Sequence, residues 1–334
     1  MLVLVKANAY GHGDVEISKL LEEFGADYLG VAFPCEGIRL MENGIKLPVI
    51  VLTPGYDNFE EIVNHGLEPS ITDMEALKFF SKTLEKTGNS KYPVHIKIDS
   101  GMHRVGFNKE NIEEMTGFIL KNGKIEVKSI FSHLAAADEK RHDEFTLAQI
   151  KLFEENYRNV TNLLGYRPIK HILNSSGIER FSQYGFDMVR LGVGIYGTSY
   201  VDETRLRPVG SLIAPIVQLK TVREGTIGYG RRGETGGIPR LIASVPLGYA
   251  DGIDRHFSRG NASFMVNGKP APVIGNICMD MFMLDVTGID VKCGDMVTIF
   301  GEKPTAGELA EILGTISYEI YTSVSARVKR IVVE

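Results

Sequence analysis

Leu2-Val3-Leu4-Val5-Lys6-Ala7-Asn8-Ala9-Tyr10-Gly11-His12-Gly13 is the stretch that decides the fold. An apolar run stopped by a glycine-rich turn reads as a β-strand and its exit. In an open doubly wound sheet that first turn normally carries a phosphate fingerprint, and Gly11-His12-Gly13 does not supply one. A lysine at such a junction can have its amine partly dehydrated and held in place. It then loses its proton near neutral pH and attacks a carbonyl, as Schiff-base lysines do. The bland alternative for Lys6 is a surface lysine after a strand, so the rest of the chain has to decide.

Outward from this stretch, short apolar runs alternate with helical patterns as far as about residue 195. The strand candidates are Leu2–Lys6, Tyr28–Ala32, Pro48–Thr53, Leu67–Ile71, Val94–Asp99, Val127–Leu134, His171–Ser175 and Met188–Gly192. Between them, Phe145, Ile150, Phe153, Tyr157, Val160 and Leu164 recur at helical steps, and Thr72 with Glu75 has capping-box spacing. Eight such units predict an α/β fold, a (β/α)8 TIM-like barrel over residues 1–200, with an open sheet as runner-up. Residues 201–334 change texture. The β-rich runs Pro215–Val222, Leu241–Leu247, Ala262–Val266, Phe282–Val286, Met296–Phe300 and Val328–Val333 are punctuated by turns such as Asn267-Gly268-Lys269-Pro270. With one helical insert near Ala306–Leu313, this predicts a mostly β C-terminal domain.

Composition narrows the function. Lys and Arg number 37 against 42 Asp and Glu, a net charge of −5 that gives no pull toward nucleic acid or anionic lipid. The longest apolar runs are strand-length, and the start lacks the order of a secretory signal. Cys35, Cys278 and Cys293 form neither a disulfide framework nor a metal ligand set, which fits a reducing cytoplasm. Cys278, beside Met279, reads equally as a structural thiol or a neighbour of the site.

Reactive groups of a barrel collect where its strands end. Lys6 ends the first strand, Lys97-Ile98-Asp99-Ser100-Gly101-Met102-His103-Arg104 the fifth and Ser132-His133 the sixth. Asn174-Ser175-Ser176-Gly177 ends the seventh, and Arg190-Leu191-Gly192-Val193-Gly194 the eighth. Backbone N–H groups of the last two elements suit a phosphate. A reactive lysine with a phosphate cradle points to pyridoxal 5′-phosphate. Arg190 then stands where such enzymes commonly place a carboxylate against the pyridine nitrogen. An arginine cannot accept a proton, so that nitrogen would stay unprotonated and the carbanion less delocalised. The alternative is an arginine paired with an acidic neighbour.

Val5–Gly13, Lys97–Gly106, Arg190–Gly197, Gly228-Tyr229-Gly230, Gly248–Gly252 and Gly275–Met281 together resemble the bacterial alanine racemases, in the family's order and across nearly the whole chain. The resemblance implies interconversion of L- and D-alanine on a pyridoxal phosphate barrel, within a homodimer that supplies D-alanine for peptidoglycan. It implies Lys6 as Schiff-base lysine and base for D-alanine, with Tyr229 of the partner copy as the opposing base. Two bases make sense, because racemisation takes a proton from one face of Cα and returns one to the other. Tyrosine is a poor base at its free pKa near 10, and His133 and Arg190 resemble the network that would favour its anion. By the same matching Tyr10, Ser175 and Tyr318 resemble phosphate contacts, with backbone amides of Gly192 and Val193. Arg104 and the backbone of Met279 resemble the substrate-carboxylate site. Lys97 resembles a lysine that the family carbamylates, which would turn repulsion with Arg104 into a pair.

Family members usually carry a longer stretch before this lysine. The chain therefore resembles a form lacking the N-terminal segment, for which lowered stability is expected, and Ala326–Arg330 resembles forms fused behind a cell-wall ligase. Three other readings remain. A broad-specificity racemase shares every motif. A non-catalytic pyridoxal phosphate barrel would lack the β domain, and a barrel decarboxylase would place an acid where Arg190 stands.

Overall fold

The computed structural model describes residues 1–333. The chain forms two compact units. One comprises Met1–Ala9, Gly13–Ile195 and Ser199–Arg205; the other comprises Tyr10–His12, Tyr196–Thr198 and the chain from Leu206.

The first unit is an eight-stranded parallel barrel. Its strands are β1 (Leu2–Leu4), β2 (Tyr28–Val31), β3 (Val49–Val51), β4 (Glu68–Ile71), β5 (Tyr92–Lys97), β6 (Ile125–Phe131), β7 (Ile169–His171) and β8 (Arg190–Leu191). They are ordered β7-β6-β5-β4-β3-β2-β1-β8, with Leu2 opposite both Tyr28 and Arg190. The N–H groups of Asp187 and Arg190 donate to the carbonyls of Lys170 and Leu173, which brings β8 beside β7. Strands covered on both faces need apolar residues throughout, and Leu2, Val3, Leu29, Val49 and Ile96 are fully buried. The helix Asp143–Leu164 buries Ile150, Phe153, Tyr157, Val160 and Leu164. Phe145, in its first turn, stays 44% exposed.

All eight expected strands are present, and three local details differ. β7 ends at His171, short of Ser175. The Asn174 side chain accepts from Gly177 N and caps a helix, Ser175–Arg180, whose first turn is Ser175-Ser176-Gly177. Arg190 opens β8 instead of ending it, because the chain leaves after Leu191 when Gly192 N donates to Ser175 Oγ. The helix Met74–Thr87 is capped by Asp73, which accepts from Ala76 N; Thr72 donates its hydroxyl to that carboxylate.

The second unit is antiparallel. One sheet joins Gln218–Val222, Arg240–Val245 and Phe282–Asp285, and another joins Lys269–Pro272, Ser263–Val266, Met296–Phe300 and Leu212–Pro215. A small hairpin pairs Thr226–Ile227 with Gly233–Glu234. Phe264 lies edge-on to both Phe257 and Phe282 at the centre of the core. The expected strand Pro215–Val222 is two strands. Ile216 N donates to Asp295 O and Val217 N to Ser244 O, so the chain crosses from one sheet to the other there. Lys269 and Pro270, expected within the turn that begins at Asn267, instead open an edge strand, Lys269–Pro272, where its prolines remove no ladder bond that is needed. Val328–Val333 is no strand. β-propensity yields one only against a partner edge, and Ile331, Val332 and Val333 are instead exposed. A second helix, Ser317–Ser323, follows the expected Ala306–Leu313.

Candidate active site

The turn after β1 is left-handed. Ala7, Asn8, Ala9 and Tyr10 have φ of 53°, 56°, 50° and 52°, though none is glycine. Each such residue is disfavoured by roughly 1–2 kcal/mol, so surrounding contacts must hold the turn. The Glu36 carboxylate supplies several, accepting from Ala7 N at 2.6 Å, Ala32 N at 2.7 Å and Phe33 N at 3.0 Å. Asn8 Oδ1 accepts from Asp14 N, and Arg39 reaches Asn8 Oδ1 and pairs with Asp14. Lys6 thus leaves the strand on a braced turn. Burial, then Arg104, lowers its pKa, and Glu36 opposes them; the balance shifts toward the neutral amine.

The loop after β5 is shaped by Asp99. Its carboxylate accepts from Gly101 N, His103 N and the His103 ring. Gly106, at φ 133°, returns so close that a Cβ would lie 2.6 Å from Asp99 N. This loop carries Arg104 while Lys97 stays in the strand, buried. Burial, then Arg104 and Arg190, pull the Lys97 pKa down to about 8. His133 is pushed well below its ordinary value by burial and by Arg190, Lys97, Arg104 and Lys6, so its ring is neutral.

Arg190 is 4% exposed and has no carboxylate partner among the described residues. Its Nη2 donates to Ser132 O (2.6 Å), Ile172 O (2.8 Å) and His133 Nδ1 (3.3 Å), and its Nη1 to His171 Nδ1 (3.0 Å). Burial lowers its pKa to about 9, which leaves a cation at neutral pH. The acidic-neighbour reading therefore falls. Ser175, buried, takes N–H bonds from Gly192 and Gly194 on its hydroxyl, which ties the starts of two loops together; Val193 lies between them. Lys6, Lys97, Arg104, His133 and Arg190 are thus neighbours, and their mutual repulsion is offset by few carboxylates.

In the second unit Tyr10 stacks on Tyr196 with ring centroids 4.8 Å apart and lies 5.6 Å from Tyr318. Burial, then Tyr318, raises the Tyr10 pKa, so its hydroxyl stays a donor. Tyr229 is 73% exposed, on a short turn whose carbonyl accepts from Asn276 Nδ2. Met279 is half exposed. Its loop is clamped by Tyr249 N to Cys278 O and Ala250 N to Met279 O, an approach so close that a Cβ at Gly248 would lie 2.2 Å from Met279 O. Tyr229, Tyr249, Arg255, Cys278, Met279 and Met281 line one surface groove.

Two functional supports escaped the sequence reading, Glu36 and His171. A signal existed for Glu36: Pro34 opens a helix, and a glutamate at its third position commonly turns back onto the N-terminal amides. His171 was seen only as the first residue of a strand.

Family comparison settles the class. "Alanine racemase, N-terminal domain" matches residues 1–200 and "Alanine racemase, C-terminal domain" matches residues 209–332. The chain belongs to the alanine racemase family. It is an isomerase of that class. It is similar to the alanine racemase of Clostridium kluyveri, 38% identical across 100% of this chain and 88% of that protein. The alanine racemase of Methanococcus maripaludis is 39% identical over 99% of this chain and 91% of its own length. The solved alanine racemase of Clostridium difficile 630 superposes with a TM-score of 0.90 at 36% identity, covering 98% of this chain and 87% of that one. The barrel and antiparallel second domain are therefore those of the family.

Proposed function

We propose that this chain interconverts L- and D-alanine by a two-base mechanism, with pyridoxal 5′-phosphate as cofactor, and so supplies D-alanine for peptidoglycan. The observation that carries the reading is the cationic cluster. Lys97 and Arg190 are buried, Lys6 is partly buried and Arg104 exposed beside them. Among the described residues Arg190 meets no carboxylate, and such a cationic group suits a phosphorylated cofactor and a carboxylate substrate. The donor set fits this cofactor. Lys6 offers an amine biased toward its neutral form, Arg190 offers only N–H donors, and Ser175, Gly192, Val193, Tyr10 and Tyr318 offer phosphate contacts. When bound, the cofactor supplies an electron sink that makes the α-proton of an amino acid acidic.

The chain's own groups do the rest. Lys6 holds the cofactor and moves a proton at one face of Cα. Tyr229 of a second copy of the chain moves one at the other. Arg104 and the backbone of Met279, again from the second copy, orient the carboxylate. His133 and Arg190 would stabilise the Tyr229 anion. The exposure of Tyr229 and Met279 in one groove supports a homodimer with shared sites, since neither reaches full burial in a single chain. Lys97 is proposed to be carbamylated. Its neutral amine adds to carbon dioxide and releases a proton, and the resulting anion pairs with Arg104. An intact-mass increase assigned to the Lys97 peptide checks this.

The test is chiral chromatography of the purified enzyme on alanine, serine and lysine. Turnover of alanine far above the other two supports the reading. Comparable rates on all three would favour a broad-specificity racemase, and no turnover would favour a non-catalytic barrel.

A further inference from the structure

Beneath Arg190 a chain of buried side chains runs through the barrel. Arg190 Nη1 meets His171 Nδ1 at 3.0 Å, His171 Nε2 meets Ser129 Oγ at 3.0 Å, Ser129 Oγ meets His95 Nδ1 at 2.6 Å, and His95 Nε2 meets Glu68 Oε2 at 2.7 Å. Four strands contribute, since Glu68 opens β4, His95 lies in β5, Ser129 in β6 and His171 ends β7. His95 and Ser129 are fully buried, and His171 is 1% exposed.

The proton directions in this chain follow from its two ends, a donor-only guanidinium above and an acceptor-only carboxylate below. A guanidinium has donors and no acceptor, so His171 Nδ1 must present its lone pair. A neutral imidazole with a bare Nδ1 carries its hydrogen on Nε2, which donates to Ser129 Oγ. The Ser129 hydroxyl is left to donate to His95 Nδ1, and His95 then carries its hydrogen on Nε2, aimed at the Glu68 carboxylate. The bonds point one way, from cation to carboxylate. Protonating either ring breaks the sequence: on His171 it sets N–H against N–H, and on His95 it takes from the Ser129 hydroxyl the acceptor this chain gives it. Burial, then Arg190 and His95, in any case push the His171 pKa well below its ordinary value.

We propose that Glu68, His95 and Ser129 are positioning residues: a one-way hydrogen-bond relay that fixes the His171 tautomer and thereby aims Arg190 at the cofactor. The role toward the cofactor rests on the pyridoxal phosphate reading above. The relay itself rests on the geometry alone. Neighbouring charge does not replace it, because the other partners of Arg190 are the Ser132 and Ile172 carbonyls and the neutral His133 ring. Without the relay, His171 is free to turn its N–H toward Arg190 and push the guanidinium away.

The experiment uses the purified chain and its Ser129→Ala, Glu68→Leu and Glu68→Gln variants, with two readouts. Nitrogen-detected NMR of the His171 ring, recorded before pyridoxal phosphate is added, reports the tautomer. The expected result is a bare Nδ1 in the wild type and in Glu68→Gln, whose amide oxygen still accepts, and a mixed tautomer in Ser129→Ala and Glu68→Leu. With pyridoxal phosphate bound, the same two broken variants should shift the visible absorbance maximum and lose about tenfold in kcat with KM little changed, as for the loss of an outer partner of a functional histidine. Glu68→Gln should stay within about twofold of the wild type, because it retains the acceptor. A protonated Nδ1 in the wild type, or unchanged tautomer and spectrum in Ser129→Ala, would overturn the relay. Should Glu68→Leu fail to fold, Ser129→Ala decides, since it removes one oxygen without creating a large void. A wild-type chain that shows no visible absorbance with pyridoxal phosphate would overturn the cofactor reading and the relay's link to it, before any variant is compared.

Discussion

The charges at the barrel mouth and those of the second unit are managed in opposite ways. In the second unit two arginines meet carboxylates, Arg240 with Asp285 and Arg327 with both Asp251 and Asp280, while the part-buried Arg330 donates to backbone carbonyls. Burial raises the Asp251 and Asp285 pKa, but hydrogen bonds outweigh it and hold both below their ordinary values, from Arg327 and Gly248 N to Asp251 and from Thr287 and then Arg240 to Asp285. At the barrel mouth Lys97 and Arg190 are buried with no carboxylate paired to them among the described residues, and the nearby Glu36 and Asp99 direct oxygens to backbone N–H groups. A fold that only had to be stable would not gather these cations. The lesson is that the mouth holds a charge deficit which anionic ligands can fill, whereas Arg240 and Arg327 of the second unit already meet carboxylates of their own chain.

The sharpest way to break this contrast is at Lys6. Lys6→Ala should lower racemisation at least about a thousandfold and abolish the visible band of bound pyridoxal phosphate, because the proposed covalent attachment is lost. Ordinary absorbance with lost activity would instead place the covalent attachment elsewhere.

Tyr229→Phe should cost about 10²–10⁴-fold, the usual contribution of one positioned acid–base group. Mixing inactive Lys6→Ala with inactive Tyr229→Phe should then restore activity, because one site of each mixed dimer has neither substitution. No recovery after exchange of subunits would mean that each chain completes its own site.

Stability measurements sharpen the comparison itself. Arg327→Ala should lower the denaturant midpoint, since it leaves the buried Asp251 carboxylate short of a partner. Arg104→Leu should leave the denaturant midpoint unchanged or raise it, because it relieves Lys6 and Lys97. Equal losses in the two variants would show that the mouth is no less balanced than the second unit.

The smallest effect is that of pH. Burial depresses the Lys97 pKa from 10.5 to about 8, so the unfolded chain binds more protons than the folded one between those values. Stability therefore rises with pH across that window, by roughly 1–3 kcal/mol at most for the unmodified amine. Melts at pH 7.5 and 10 should show the rise, and Lys97→Met should flatten it. A carbamylated Lys97 would flatten it too, which the intact mass distinguishes.

The eight strands were legible because each is a short apolar run bounded by turn residues, a pattern that survives without knowing its neighbours. β7 was misplaced because Asn174 could end a strand or cap a helix, and only the Gly177 contact decides between them. Val328–Val333 reads as a strand by composition, yet a strand is a relation to a partner edge, which composition does not contain. Within the candidate site, Lys6, Lys97, Arg104, His133 and Arg190 stood out as charged or titratable residues near strand ends. The Pro34 helix start announces that Glu36 turns back to Phe33 N, but not that it also reaches Ala7 N on a distant turn.

By itself the sequence determined the order of the strands, the change of texture near residue 200 and the chemical types gathered around the barrel. Tertiary structure alone decided the left-handed turn under Lys6, the absence among the described residues of a carboxylate beside Arg190, and the line of side chains from Glu68 to Arg190. The reason is physical. Strand formation follows from the local alternation of apolar and turn residues. A hydrogen bond's direction or an amine's proton affinity depends instead on groups far apart in sequence that lie within a few ångströms only once the barrel has closed.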